Sequence, residues 1–134
     1  MILPIDAGDP AGIERAFARM KQERAGSVIV PGDAFYMAQG QQIAALAAGN
    51  GIASMFSFRE QVSAGGLVSY GQNLAEYYRL IAKYVDKILN GAKAGELPIE
   101  QSTTIHLAIN RKTAKALGIA VPKEVLFRAD EVIE

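Results

Sequence analysis

Between Phe56 and Gly91 the chain reads FSFREQVSAGGLVSYGQNLAEYYRLIAKYVDKILNG, a short apolar run set between glycines and followed by a long helix-patterned run. Residues 67–70 are flanked by Gly65-Gly66 and Gly71, too short a run for a helix and bounded by turns, so they predict a strand. Asn73 supplies an N-cap, and Glu76 three residues later completes a capping box. Leu74, Tyr77, Tyr78, Ile81, Tyr84, Val85, Ile88 and Leu89 then recur at three- and four-residue spacing, which predicts a core-facing stripe. Glu76, Arg79, Lys83, Asp86 and Lys87 take the opposite face, and Gly91 stops the helix. Strand ends that feed helix starts are where open α/β sheets hold their ligands.

The same punctuation continues on both sides. Residues 2–5 predict a strand, at an edge or terminus because of Pro4. Asp9-Pro10 starts a helix with Ile13, Phe17 and Met20 inward and Gly26 as its end. Residues 27–30 and 52–56 read as strands, residues 38–48 as a helix, and residues 59–63 as a helical turn. The order predicts an α/β fold, a three-layer α-β-α arrangement with a mostly parallel sheet, in one domain spanning residues 1–134. Within it, residues 1–91 form a compact β/α core and residues 92–102 a connecting loop. Residues 103–109 alternate as a half-covered strand, Asn110 caps a short helix ending at Gly118, and Pro122 opens a last element around residues 124–128.

Composition removes whole classes of function. Fourteen Lys plus Arg balance fourteen Asp plus Glu, leaving no net field to attract nucleic acid or an anionic membrane. There is no cysteine, and the single histidine, His106, cannot build a histidine cluster; it reads as a sheet-surface residue. No signal-peptide pattern opens the sequence, and no apolar run approaches a membrane span. Dinucleotide, P-loop, zinc-protease, serine-hydrolase and calcium-loop motifs are missing, so no cofactor or metal is expected. Asp33 lacks the acidic neighbours of a magnesium-dependent phosphoacceptor, and nothing fixes Asp33 and Glu60 as an opposed carboxylate pair. Enzymatic activity is not expected.

Non-catalytic capture fits better. Three loops leave one end of the expected sheet, carrying Asp33, Ala34 and Phe35; Phe58, Arg59 and Glu60; and Ser69, Tyr70, Gly71 and Asn73. Aromatic walls, a carboxylate, a guanidinium, hydroxyls and a helix N-terminus suit a small zwitterionic or anionic organic solute. Each residue also has a plainer role. Asp33 suits a turn residue bonding its own backbone, Phe35 and Phe58 suit core caps, and Arg59 and Glu60 suit a solvated helix start. Tyr70, at a strand end, is expected to matter more for binding than for stability, and Tyr84, on the helix stripe, the reverse.

Several stretches together resemble one known family: Phe58-Arg59-Glu60, Gly65-Gly66-Leu67-Val68-Ser69-Tyr70-Gly71, Tyr84-Val85-Asp86-Lys87-Ile88-Leu89, Asn110-Arg111-Lys112-Thr113-Ala114-Lys115-Ala116-Leu117-Gly118, and Arg128-Ala129-Asp130-Glu131-Val132-Ile133. In order and spacing they are similar to the C-terminal part of ABC transporter substrate-binding proteins related to tryptophan and tyrosine uptake. The resemblance implies one lobe of a periplasmic-binding type I fold that holds an amino-acid-like solute or small carboxylate. It also implies a periplasmic or extracytoplasmic setting and delivery to a membrane permease, with solute contacts from the three loops. A signal sequence and the first lobe have no counterpart here. A truncated structural or regulatory interaction domain with a vestigial pocket therefore stays open as the alternative. With that lobe missing, the apolar residues of 103–134 predict a homodimer, by twofold pairing or by exchange of this segment, with the tail folding back on its own domain as an edge strand and helix as the alternative.

Overall fold

The computed structural model describes residues 2–100 and 104–134. Helix α1 (Pro10–Gln22) starts where the Asp9 side chain accepts from the Gly12 N–H, with Pro10 in the first turn, where its missing N–H costs nothing. Its apolar stripe, Ile13, Ala16, Phe17 and Met20, is buried. The helix stops before the expected Gly26. Arg24 adopts φ +55°, and the Ala25 and Arg24 amides bond back to Met20 and Lys21 in a Schellman turn that usually takes glycine. Strand β1 (Ser27–Ile29) follows.

Where one helix over residues 38–48 is expected, the chain forms two: α2 (Ala34–Ala38) and α3 (Gly40–Gly49). The Asp33 carboxylate starts α2 early by accepting from the Phe35 N–H at 2.8 Å. Gln39 then breaks the run, and Gly40 packs so closely on Gln61 that a Cβ there would sit 3.0 Å from Gln61 Cγ. Strand β2 (Ala53–Phe56), helix α4 (Arg59–Ser63) and strand β3 (Val68–Gly71) come as the glycine pattern predicts, and α5 (Leu74–Leu89) begins under the Asn73 cap, whose Oδ1 accepts from the Ala75 N–H. A 3-10 turn (Ala94–Glu96) leads toward β4 (His106–Asn110), α6 (Arg111–Ala116), α7 (Lys123–Arg128) and β5 (Glu131–Ile133).

The five strands lie in chain order. β1, β2 and β3 are parallel, β4 is antiparallel to β3, and β5 is parallel to β4. The result is a mixed, mostly parallel sheet flanked by helices in the three-layer α/β arrangement. The main core joins α1 and α3 to the sheet through Ile13, Phe17, Met20, Val30, Ile43, Ala47, Ile52 and Phe56, and α4 closes it over β2, β3 and β4. Three of its polar residues make hydrogen bonds: Ser54 Oγ accepts from the Leu67 N–H, Gln61 Nε2 donates to the Tyr36 carbonyl while its buried Oε1 has no partner among the described residues, and Asn110 donates to the Val62 carbonyl while capping α6 through Thr113.

Three further expectations change, and one strand is added. Residues 2–5 form no strand; Pro4 cannot donate to a ladder, and Ile2 is exposed. The strand expected over residues 103–109 is displaced to His106–Asn110, residue 103 lies outside the described residues, and Ala108 and Ile109 are both buried, so both faces are covered there rather than one. The last strand, β5, falls on a tail of only three paired residues, too short to show a period. Most consequentially, α5 has no buried residue. Its stripe faces away from the core, and Tyr84 is held by its hydroxyl, which donates to the Pro98 carbonyl and accepts from the Glu100 N–H. Residues 92–100 are thereby strapped to α5, while 101–103, the end of the expected loop, lie outside the described residues.

Candidate ligand-binding site

Because β1, β2 and β3 are parallel, their C-terminal ends open at one end of the sheet. Three loops meet there around Ser57. A Cβ on Gly32 would lie 3.3 Å from Ser57 Cβ and Oγ and 3.4 Å from the Phe58 ring; one on Gly71 would lie 2.1 Å from the Ser57 carbonyl oxygen. At position 71 only glycine lets the chain ends approach so closely, and at position 32 a Cβ would be tight against Ser57. The β2 exit is therefore clamped between the β1 and β3 exits.

The expected site residues divide into two groups. Asp33 and Ala34 are exposed at the β1 exit, Phe58 is half-buried beside Gly32, and Gly71 closes the β3 exit opposite His106. Tyr70, 57% exposed and cross-strand from Leu107, is the large aromatic side chain offered to solvent at this end. The others are committed elsewhere. Phe35 packs against the core, with its ring 5.4 Å from that of Tyr36. Ser69 is buried on the covered face beside Phe56, since adjacent strand residues point to opposite faces and Tyr70 takes the open one. The Arg59 guanidinium donates to Glu131 of β5 at 2.7 Å, which ties the start of α4 to the far strand. Glu60 lies exposed in the first turn of α4, and the Asn73 oxygen caps α5.

Ser57 and Gly32 lie within two of the expected loops but are not among the expected contact residues. Their signal was a small residue between two phenylalanines directly after a strand, facing glycines in the loops on either side. Glu76 turns away from the expected capping box toward His106 Nε2, 3.5 Å off, joining the first turn of α5 to the first residue of β4. Among the described residues, no group of three His, Asp or Glu side chains could hold a metal, and no helix is long and apolar enough to cross a membrane.

Two concavities flank the sheet, the first reaching Pro31 and Tyr36 at the β1 exit. One, of about 520 Å³, sits between residues 2–7, α1 and the β1 edge, and is lined mainly by apolar groups of the core such as Ile13, Phe17 and Met20. It marks loose coverage of the sheet edge where the expected N-terminal strand does not form. The other, about 610 Å³, is a shallow groove beside α6 and α7, at the opposite end of the sheet.

A family model described as ABC transporter substrate binding protein matches residues 2–133. The chain belongs to this family. Solved structures share the fold of this family member: a conserved domain protein from Vibrio cholerae (24% identity, TM-score 0.86, covering 94% of this chain and 42% of that one) and an ABC domain from Streptococcus pneumonia in complex with L-Trp (24% identity, TM-score 0.87, covering 96% and 44%). A third is the ligand-free, open structure of a substrate binding protein with adhesive properties from Clostridium difficile (20% identity, TM-score 0.63, covering 93% and 41%). This substrate-binding family member thus spans less than half the length of each solved chain it matches. Comparison with curated proteins returns no match. Membership places the chain in a family whose role is to bind ligands rather than to transform them.

Proposed function

We propose that this chain is the C-terminal solute-binding lobe of a tryptophan/tyrosine-uptake-related substrate-binding protein, with an amino-acid-like molecule or small carboxylate bound non-catalytically at the loops around Ser57. In this reading the complete receptor works outside the cytoplasmic membrane and hands its solute to a permease. The observation that carries the reading is the clamp of Ser57 between Gly32 and Gly71, which gathers three parallel strand ends, with Asp33 and Tyr70 exposed beside them. Tyr70 supplies an apolar face for an organic side chain, and Asp33 a carboxylate for an ammonium group. The L-Trp complex of the Streptococcus structure supports the choice of solute class.

Isothermal titration with L-tryptophan, L-tyrosine, branched amino acids and small carboxylates tests it. One of these binds, and Tyr70→Ala weakens that binding roughly tenfold, about 1.4 kcal/mol, while leaving the fold intact. No heat with any of them removes solute capture by this lobe. A second reading, an interaction domain with a vestigial pocket, is favoured by the side chains already spent on structure: Ser69 in the core, Arg59 on Glu131, and Asp33 and Asn73 on helix caps. It predicts that Asp33, Phe35 and Tyr70 can be changed without altering any affinity.

A further inference from the structure

We propose that Gln61 is a positioning residue for the solute loops: its buried amide holds helix α2, and with it Asp33, in place against the Phe58 loop, and it rests on the solute reading only for what those loops bind. Gln61 is 2% exposed within α4. Its backbone N–H donates to the Phe58 carbonyl at 3.2 Å, and its Nε2 donates to the Tyr36 carbonyl, 25 residues away in sequence, at 3.2 Å. One residue therefore bonds both to the chain leaving β1 and to the chain leaving β2. Its own carbonyl accepts from the Gly66 N–H at 3.0 Å, in the turn that enters β3.

Helix α2 depends on such a tie. It spans only Ala34–Ala38, contains no fully buried residue, and is separated from α3 by Gln39. A helix this short does not hold its shape alone, and the carbonyls of its last turn have no partner within it. Gln61 supplies a donor to one of them. Phe35 and Tyr36 pack against the core, but apolar contact is non-directional, whereas the amide bond fixes how α2 is oriented. Asp33 follows α2, because its carboxylate accepts from the Phe35 N–H.

Stability alone favours a different side chain at position 61. Gln61 Oε1 is buried with no partner among the described residues, which is unfavourable, and methionine has a similar shape without that group. What glutamine adds is the directed bond to Tyr36. The amide is also confined: a Cβ on Gly40 would sit 3.0 Å from Gln61 Cγ, so the start of α3 rests on the Gln61 stem and limits its rotamers.

Gln61→Met tests the assignment, because it keeps the stem beneath Gly40 and removes the donor. Hydrogen exchange, measured without solute, is expected to quicken about fivefold at Met37 and Gln39, whose N–H groups bond to Asp33 and Phe35, with the denaturant midpoint unchanged or raised. Affinity for whichever amino acid or carboxylate binds the unsubstituted chain is expected to weaken roughly fivefold. Gln42→Met is the control: it removes the same kind of bond, from Gln42 Nε2 to the Pro10 carbonyl, and leaves both readouts as they were. Unchanged exchange in α2 overturns the proposal. So does a lowered midpoint with exchange rising throughout the core, which would make Gln61 an ordinary core residue, and so does a loosened α2 with unchanged affinity. If nothing in the panel binds even the unsubstituted chain, the solute reading fails separately, and exchange in α2 alone decides whether Gln61 positions Asp33.

Discussion

Helices α1 and α5 carry the same kind of pattern and meet opposite fates. Both begin at a side-chain cap, Asp9 or Asn73, and both place apolar residues at three- and four-residue spacing. In α1 that stripe is the core: Ile13, Phe17 and Met20 are buried against α3 and the sheet. In α5 the stripe is solvent-facing, and the helix is held at its ends, by the Asn73 cap, the Glu76–His106 pair and the Tyr84 strap to residues 98 and 100. Amphipathic spacing states that a face needs covering. It does not state what covers it, because the period of a helix is a local property and the choice of partner is not.

Substitutions can break or sharpen that contrast. The largest difference is expected between Phe17→Ala and Ile81→Ala. The first empties a buried site and costs about 3–5 kcal/mol; the second removes a half-exposed side chain from the chain's own fold and costs under ~1 kcal/mol in the dilute monomer. Denaturant midpoints at low protein concentration decide it, and equal losses would mean that α5 belongs to the core after all. Next comes Gly71→Ala, whose Cβ would collide with the Ser57 carbonyl oxygen; a loss of about 2–3 kcal/mol is expected, together with shifted amide signals at Ser57 and Phe58.

Capping makes a subtler test. Asp9→Ala should lower global stability by about 1 kcal/mol because α1 is part of the cooperative core. Asn73→Ala should leave the midpoint nearly unchanged and instead raise amide exchange within the first turn of α5. Tyr84→Ala behaves like the latter, releasing residues 98 and 100 for exchange without the large loss that a core tyrosine would bring. The smallest expected effect is a gain. Arg24→Gly relieves a left-handed backbone position at the end of α1 and should raise stability by about 0.5–1 kcal/mol, read from the thermal midpoint.

The parts legible in the sequence were those fixed by neighbours in the chain. Glycine boundaries placed β2, α4 and β3 to within a residue or so, and Asp9-Pro10, Asn73 and Asn110 marked three helix starts. Readings that needed distant partners fared worse. The apparent strand at residues 2–5 has apolar side chains but finds no ladder, β5 is paired though too short to announce itself, and α5 has the strongest pattern but buries none of its residues. The site shows the same division. The three loops do share one end of the sheet, as parallel strands require. Strand alternation alone sends Ser69 inward and Tyr70 outward, whereas the Arg59–Glu131 pair and the Ser57 clamp join positions far apart in sequence.

The most direct test of the solute-binding account is to follow backbone amide signals by nuclear magnetic resonance as L-tryptophan and then the other amino acids and carboxylates are added to the 134-residue chain. The account predicts saturable shifts gathered at Gly32, Asp33, Ser57, Phe58, Tyr70 and Gly71. Shifts centred instead on Ile13, Phe17 and Met20 around the cavity at the β1 edge, or no saturable shift with any member of the panel, would contradict it.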